Sequence, residues 1–155
     1  MTQPSNAWQA PEPSGGPAPG MEFASPGARL VGYIIDVIIV SVAVIAIAIA
    51  GAILAVVIPV LGVLAILLGV IIVPLAYFPY FWSRTGQTPG MGMMHIKVVR
   101  DVDGGPVTTG AAILRLIGYW VSGFVFYLGY IWIFVDKRRR GWMDLIAGTV
   151  VVTAP

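Results

Sequence analysis

Between Arg29 and Arg84 the chain carries one side chain that is charged at pH 7, Asp36, in text that is otherwise almost wholly apolar. A bilayer core about 30 Å thick takes roughly 20 apolar residues per helix, so this run is long enough for two passes and too long for one. A small soluble domain could not hide it, because such domains keep a large share of their surface in water. Composition agrees: hydrophobic residues make up 58% and charged residues 10% of the 155, against about 45–50% and 25% in ordinary globular domains. Mean hydropathy is +0.90. These values exclude a soluble enzyme core and a disordered polar chain. The absence of cysteine excludes a disulfide scaffold, thiolate catalysis and Cys-ligated metal. Net charge is +2, and the basic residues gather between Arg84 and Arg140 beside apolar segments. That is the charge bias of a membrane protein, so the expected partner is a lipid bilayer and not nucleic acid.

Residues 1–26 read as a disordered tail rich in Pro and Gly, without apolar periodicity, and residues 27–155 as the membrane domain. The spans are expected near Leu30–Ala50 and Val60–Trp82, with Gly51, Pro59 and Gly62 supplying the turn. Pro74 and Pro79 should bend or loosen the second span unless neighbours satisfy the freed carbonyls. Tyr77, Phe78, Tyr80, Phe81 and Trp82, followed by Arg84, form an interface anchor. Gly86, Pro89, Gly90 and Gly92 break helix, His95–Arg100 alternates as a strand, and Thr149–Thr153 is a second strand able to pair with it. A third apolar stretch, Ala111–Val135, contains Arg115 and ends in the basic run Lys137–Arg140. It either crosses the membrane or enters and returns as two arms broken near Ser122-Gly123 or Gly129. The re-entrant arrangement keeps every Lys and Arg on the cytoplasmic side and lets the strands meet. The expected fold is therefore an all-α integral membrane protein: two transmembrane helices, a third apolar segment that is a re-entrant hairpin or third span, and a small cytoplasmic pairing of two strands.

An unpaired carboxylate inside a bilayer costs on the order of 3 kcal/mol, so Asp36 needs a partner. Arg29 shares its helix face but lies about 10.5 Å away along the axis, and is expected to snorkel to the headgroups. Arg115 is then the intramembrane partner expected for Asp36. Lys137–Arg140 read as a topology signal in contact with headgroups. His95 is the sole histidine, which rules out a histidine metal pair within one chain, and Met91, Met93 and Met94 suit apolar packing better than metal binding. Neither a metal nor a cofactor is expected, and no hydrolase arrangement can be assembled. Small residues at Gly32, Ala43, Ala46, Ala48, Ala50, Gly51, Gly62 and Gly69 argue for close helix packing or self-association, hence a homo-oligomer or a membrane partner.

Three separated pieces carry a likeness to a known family. They are Ala28-Arg29-Leu30-Val31-Gly32-Tyr33-Ile34-Ile35-Asp36; Gly86-Gln87-Thr88-Pro89-Gly90 running into Ile96–Val99, with Leu114-Arg115 beyond; and Arg139-Arg140-Gly141-Trp142-Met143-Asp144 leading to Ala147-Gly148-Thr149. Together they resemble the RDD family of bacterial and archaeal membrane proteins, named for one Arg and two Asp. The resemblance implies that Arg29 is the family's Arg, that Asp36 and Asp144 are its two Asp, and that Gly86, Thr88 and Gly90 form its loop motif. The chain departs from the family pattern at Met91, His95 and Met143, where a basic residue, Gly and His are common. Some relatives are associated with sodium/proton antiport and others have no assigned activity. The expectation is an inner-membrane, non-enzymatic protein with cytoplasmic termini, in which Arg29, Asp36, Arg115 and Asp144 form a polar network. Its role is either small-cation or proton transport, or that of a scaffold or accessory protein using the Pro-rich tail for docking.

Overall fold

The computed structural model describes residues 15–154. Ser25 opens helix α1 (Pro26–Val57): its hydroxyl accepts from the Ala28 N–H, and Pro26 stands where a missing donor is harmless. Ile58 alone separates α1 from α2 (Pro59–Arg84). At 1.5 Å per residue the two helices are about 48 and 39 Å long, more than an apolar core requires. Both are apolar enough to cross a membrane. Their burial pattern is inverted relative to a soluble protein: α1 buries Gly32, Asp36 and Gly51, while Ile, Leu and Val stay exposed along its length. Lipid is the solvent that tolerates this.

The turn expected over Gly51, Pro59 and Gly62 contracts to Ile58, and Gly51 and Gly62 lie inside the helices. Any Cβ at Gly62 would land on the backbone of Gly51 and Ala55, and one at Gly69 would reach Ile47. Of the small residues expected to serve close helix packing or self-association, Gly51, Gly62 and Gly69 bring α1 and α2 together, and Gly32 faces Gly90. α2 runs unbroken through Pro74 and Pro79.

After α2 the chain turns into a short helix, α3 (Pro89–Met93), where only helix-breaking residues were expected. Thr88 makes this possible: it caps the turn by accepting from the Met91 N–H at 3.2 Å, and Pro89 occupies the first position. Strand β1 (Ile96–Arg100) follows. Then come α4 (Thr109–Phe124), α5 (Leu128–Val135), α6 (Trp142–Ala147) and β2 (Thr149–Thr153). As expected, β1 and β2 pair, antiparallel, with Val98 opposite Val151.

Of the tail expected over residues 1–26, residues 1–14 lie outside the described part. The remainder does not end as a free tail: Phe23 bridges to Val152, the Ala24 N–H donates to the Val151 carbonyl, and Ala24 is fully buried. Its place is among Trp82, Met91, Ile96, Val98, Val107, Ala112 and Val151, a core packed where the sheet meets the ends of α1 and α2.

The third apolar stretch is broken at Val125–Tyr127, between the two sites expected, and α4 and α5 are bent by 103°. Phe126 and Tyr127 both take left-handed backbone (φ 49° and 60°), a conformation that costs energy in side-chain-bearing residues. Gly129 lies against Ser122, whose hydroxyl donates to the Gly118 carbonyl.

Candidate functional site

Two polar clusters occupy the junction between the helices and the sheet. The first is centred on Asp144, in the first turn of α6 and 1% exposed. Its Oδ2 accepts from Arg29 Nη1 at 2.8 Å and from the Gly141 N–H at 3.0 Å, and its Oδ1 accepts from Arg115 Nη1. Arg29 also donates to the Val151 carbonyl at 3.1 Å, and Arg115 to Thr149 Oγ1 at 2.9 Å. The Arg115 guanidinium lies 5.0 Å from the Trp82 ring centre and 5.7 Å from that of Tyr119, within cation–π range. One carboxylate thereby ties α1, α4 and the start of α6, while the guanidiniums fasten β2. Burial by itself would push the Asp144 carboxyl up, but Arg115 and Arg29 outweigh it and hold it below the usual carboxylate range.

The second cluster surrounds Asp36, 2% exposed. Its Oδ1 accepts from the Tyr77 hydroxyl at 2.8 Å and the Gly90 N–H at 2.9 Å, and its Oδ2 from the Thr88 hydroxyl. Close approach of α1 and α3 is the condition: a Cβ at Gly90 would strike the Gly32 carbonyl and the Asp36 carboxylate.

The four charged residues expected to form one network therefore fall into two groups. Arg115 pairs with Asp144 and not with Asp36, because α6 brings a carboxylate to it while neutral donors from α2, the α2–α3 loop and α3 satisfy Asp36. Arg29 does not snorkel; α6 and β2 fold over the start of α1, and its side chain is 9% exposed. Of the loop motif, Thr88 and Gly90 touch Asp36, whereas Gly86, at φ 73°, uses its carbonyl to accept from the Val98 N–H and so starts β1. The basic run is partly internal: Arg138 and Arg140 pair with Asp101, and Arg140 with Asp136. Tyr77, Thr149, Trp82 and Tyr119 were not singled out from sequence as members of these clusters. Tyr77 stood among aromatics that read as an anchor, and Thr149 in a strand read for its β-branched residues.

A cavity of about 290 Å³ is lined by Arg29, Asp36, Arg115 and Asp144 together with Tyr33, Tyr119 and Tyr130. Among the described residues, no three His, Cys, Asp or Glu come together as a metal site.

Helices fit to span a membrane, joined by a buried Arg–Asp–Arg clamp to a small sheet, define a membrane-type protein built around one ionic knot. The chain belongs to the RDD family, whose model matches residues 23–148. No curated protein and no solved structure matches it.

Proposed function

We propose that the protein is a non-enzymatic membrane module of the accessory or scaffold kind, in which both polar clusters are structural ties. The observation that carries this reading is the state of Asp36, the residue best placed inside a span to exchange a cation or proton. Both of its oxygens are taken by Tyr77, Thr88 and Gly90, donors from α2, the α2–α3 loop and α3. The Pro-rich tail is the docking segment in this reading.

The strand pairing supports a re-entrant α4–α5 hairpin: β1 precedes α4, and β2 comes after α5 and α6, so both ends of the hairpin return to one face. With Arg84, Lys97, Arg100 and Arg138–Arg140 on that face, the charge bias supports a cytoplasmic side for it in this reading. Cysteines introduced at Asp103 and Lys137 should be labelled from the same side, and opposite labelling overturns the hairpin.

Transport is the second reading, favoured by one observation: Asp36 and Asp144 line the same cavity. Proteoliposomes separate the two. A tie predicts no sodium or proton flux above protein-free vesicles and lower thermal stability for Asp36→Asn. Flux in the wild type that Asp36→Asn abolishes, with folding intact, overturns the structural reading.

A further inference from the structure

The geometry points to an anionic phospholipid bound in the cleft between α1 and α5, its phosphate on Arg29 and Arg115. This goes beyond the scaffold reading and does not depend on it.

Charge is the first support. Two guanidiniums face one carboxylate in the clamp, leaving a net charge of +1 at side chains 9%, 2% and 1% exposed. The two guanidiniums share that one carboxylate, and a phosphodiester, with its single negative charge, gives them a second anionic partner. Asp36 lines the same cavity but is bonded to Tyr77, Thr88 and Gly90 and pairs with neither guanidinium. Donor capacity is the second support. Among the described residues, Arg29 Nε and Arg115 Nε are buried N–H groups with no hydrogen-bond partner, and both residues line the cleft. Buried N–H groups left without an acceptor are rare and call for one. Guanidinium is also the side chain best matched to phosphate oxygens.

The rim chooses between a soluble anion and a lipid. Leu30 on α1 and Phe134 on α5 line the same cleft and are 60% and 77% exposed. Both stand on apolar elements, so the mouth presents hydrocarbon where acyl chains lie. Phenol rings of Tyr33 and Tyr130 complete the wall and suit the ester and glycerol level of a lipid. At about 290 Å³ the space is at the small end of ligand pockets, enough for a headgroup with the chains left in the bilayer.

The test is native mass spectrometry of the full chain, purified in mild detergent containing equal phosphatidylglycerol and phosphatidylcholine. The expected result is one phosphatidylglycerol per chain, retained about tenfold over phosphatidylcholine, whose phosphodiester is the same but whose quaternary ammonium brings a further positive charge beside the two guanidiniums. Gly27 lines the cleft, and a Cβ there meets nothing within 4 Å. Gly27→Phe should therefore fill the mouth without touching the clamp, and cut retention about tenfold at unchanged Tm. Should Gly27→Phe melt early, Leu30→Trp takes its place with the same expectation. Equal retention of the two lipids overturns the proposal, as does undiminished retention in the cleft-filling variant. Stabilisation by inorganic phosphate alone, equal to that by phosphatidylglycerol, overturns the lipid as the source of the anion.

Discussion

Replacing Asp144 by Asn removes the only negative charge from a buried cluster that holds two positive ones. The side chains concerned are 1% exposed for Asp144, 2% for Arg115 and 9% for Arg29, so bulk water is a poor substitute for the lost carboxylate. Asn keeps the volume, but it offers one oxygen where there were two and sets an NH₂ group near a guanidinium. Breaking a single buried ion pair costs about 3–5 kcal/mol, most of it the penalty of the charge left behind. Here both guanidiniums lose their partner, and because they share it the two costs do not add. A loss of about 4 kcal/mol or more is expected, a large part of the roughly 5–15 kcal/mol that holds a domain folded. Asp103→Asn is the control: the Arg100–Asp103 pair is 44% and 51% exposed, and such pairs contribute less than about 1 kcal/mol. Unfolding in mixed micelles with rising dodecyl sulfate, followed by tryptophan fluorescence, measures both. If Asp144→Asn unfolds at the same point as Asp103→Asn, the clamp is not the desolvated tie described here.

A second arm isolates the cause. Exchanging a buried ion triad for apolar residues is often neutral or stabilising, so Arg29→Met/Arg115→Met/Asp144→Leu should regain most of the loss. A triple variant as unstable as Asp144→Asn would refute unpaired charge as the origin of the cost. The pH dependence has a definite sign. Asp144 is held below its unfolded value, so its contribution is complete above about pH 4 and disappears as pH falls through the lower folded value. Wild type and Asp144→Asn should differ most near neutrality and converge in strong acid.

Thr88→Val removes the cap of α3 and one donor to Asp36 together, and should lower stability by about 1–3 kcal/mol in the same unfolding assay. Gly62→Val puts methyl groups against the backbone of Gly51 and Ala55 and should cost about 1–3 kcal/mol; a crosslink between cysteines placed on α1 and α2 should form more slowly. Arg140, which donates to Asp136, holds that carboxyl below its usual range. Asp136 therefore stabilises the fold above about pH 4 and loses this effect in more acid solution, so Asp136→Asn should flatten the acid limb of the Tm profile. The partly exposed pairs of Arg140 with Asp101 and Asp136 should also weaken in 1 M salt, where the screening length falls to about 3 Å.

The spans and the strand pair were legible because each rests on a local pattern: an apolar run longer than one crossing, and β-branched alternation in two short segments. The partners of the polar residues were not, because they depend on how distant segments meet. Arg29 and Asp144 are 115 residues apart, and a snorkelling arginine looks the same in sequence as one sealed under a strand. The rule that a buried carboxylate requires an opposite charge selected Arg115 for Asp36 and overlooked an equal solution. Hydroxyl and amide donors satisfy a carboxylate as well, and they are too common in sequence to stand out. The glycines carry a related ambiguity, since closeness to a second copy and closeness of α1 to α2 need the same missing Cβ. The two clusters also differ in what a carboxylate substitution leaves behind. Losing the Asp36 charge leaves neutral donors, which a buried site bears at modest cost; losing the Asp144 charge leaves two cations, which it does not. Asp36→Asn should therefore be the milder change of the two, although Asp36 lies deeper in its span and carries the same formal charge.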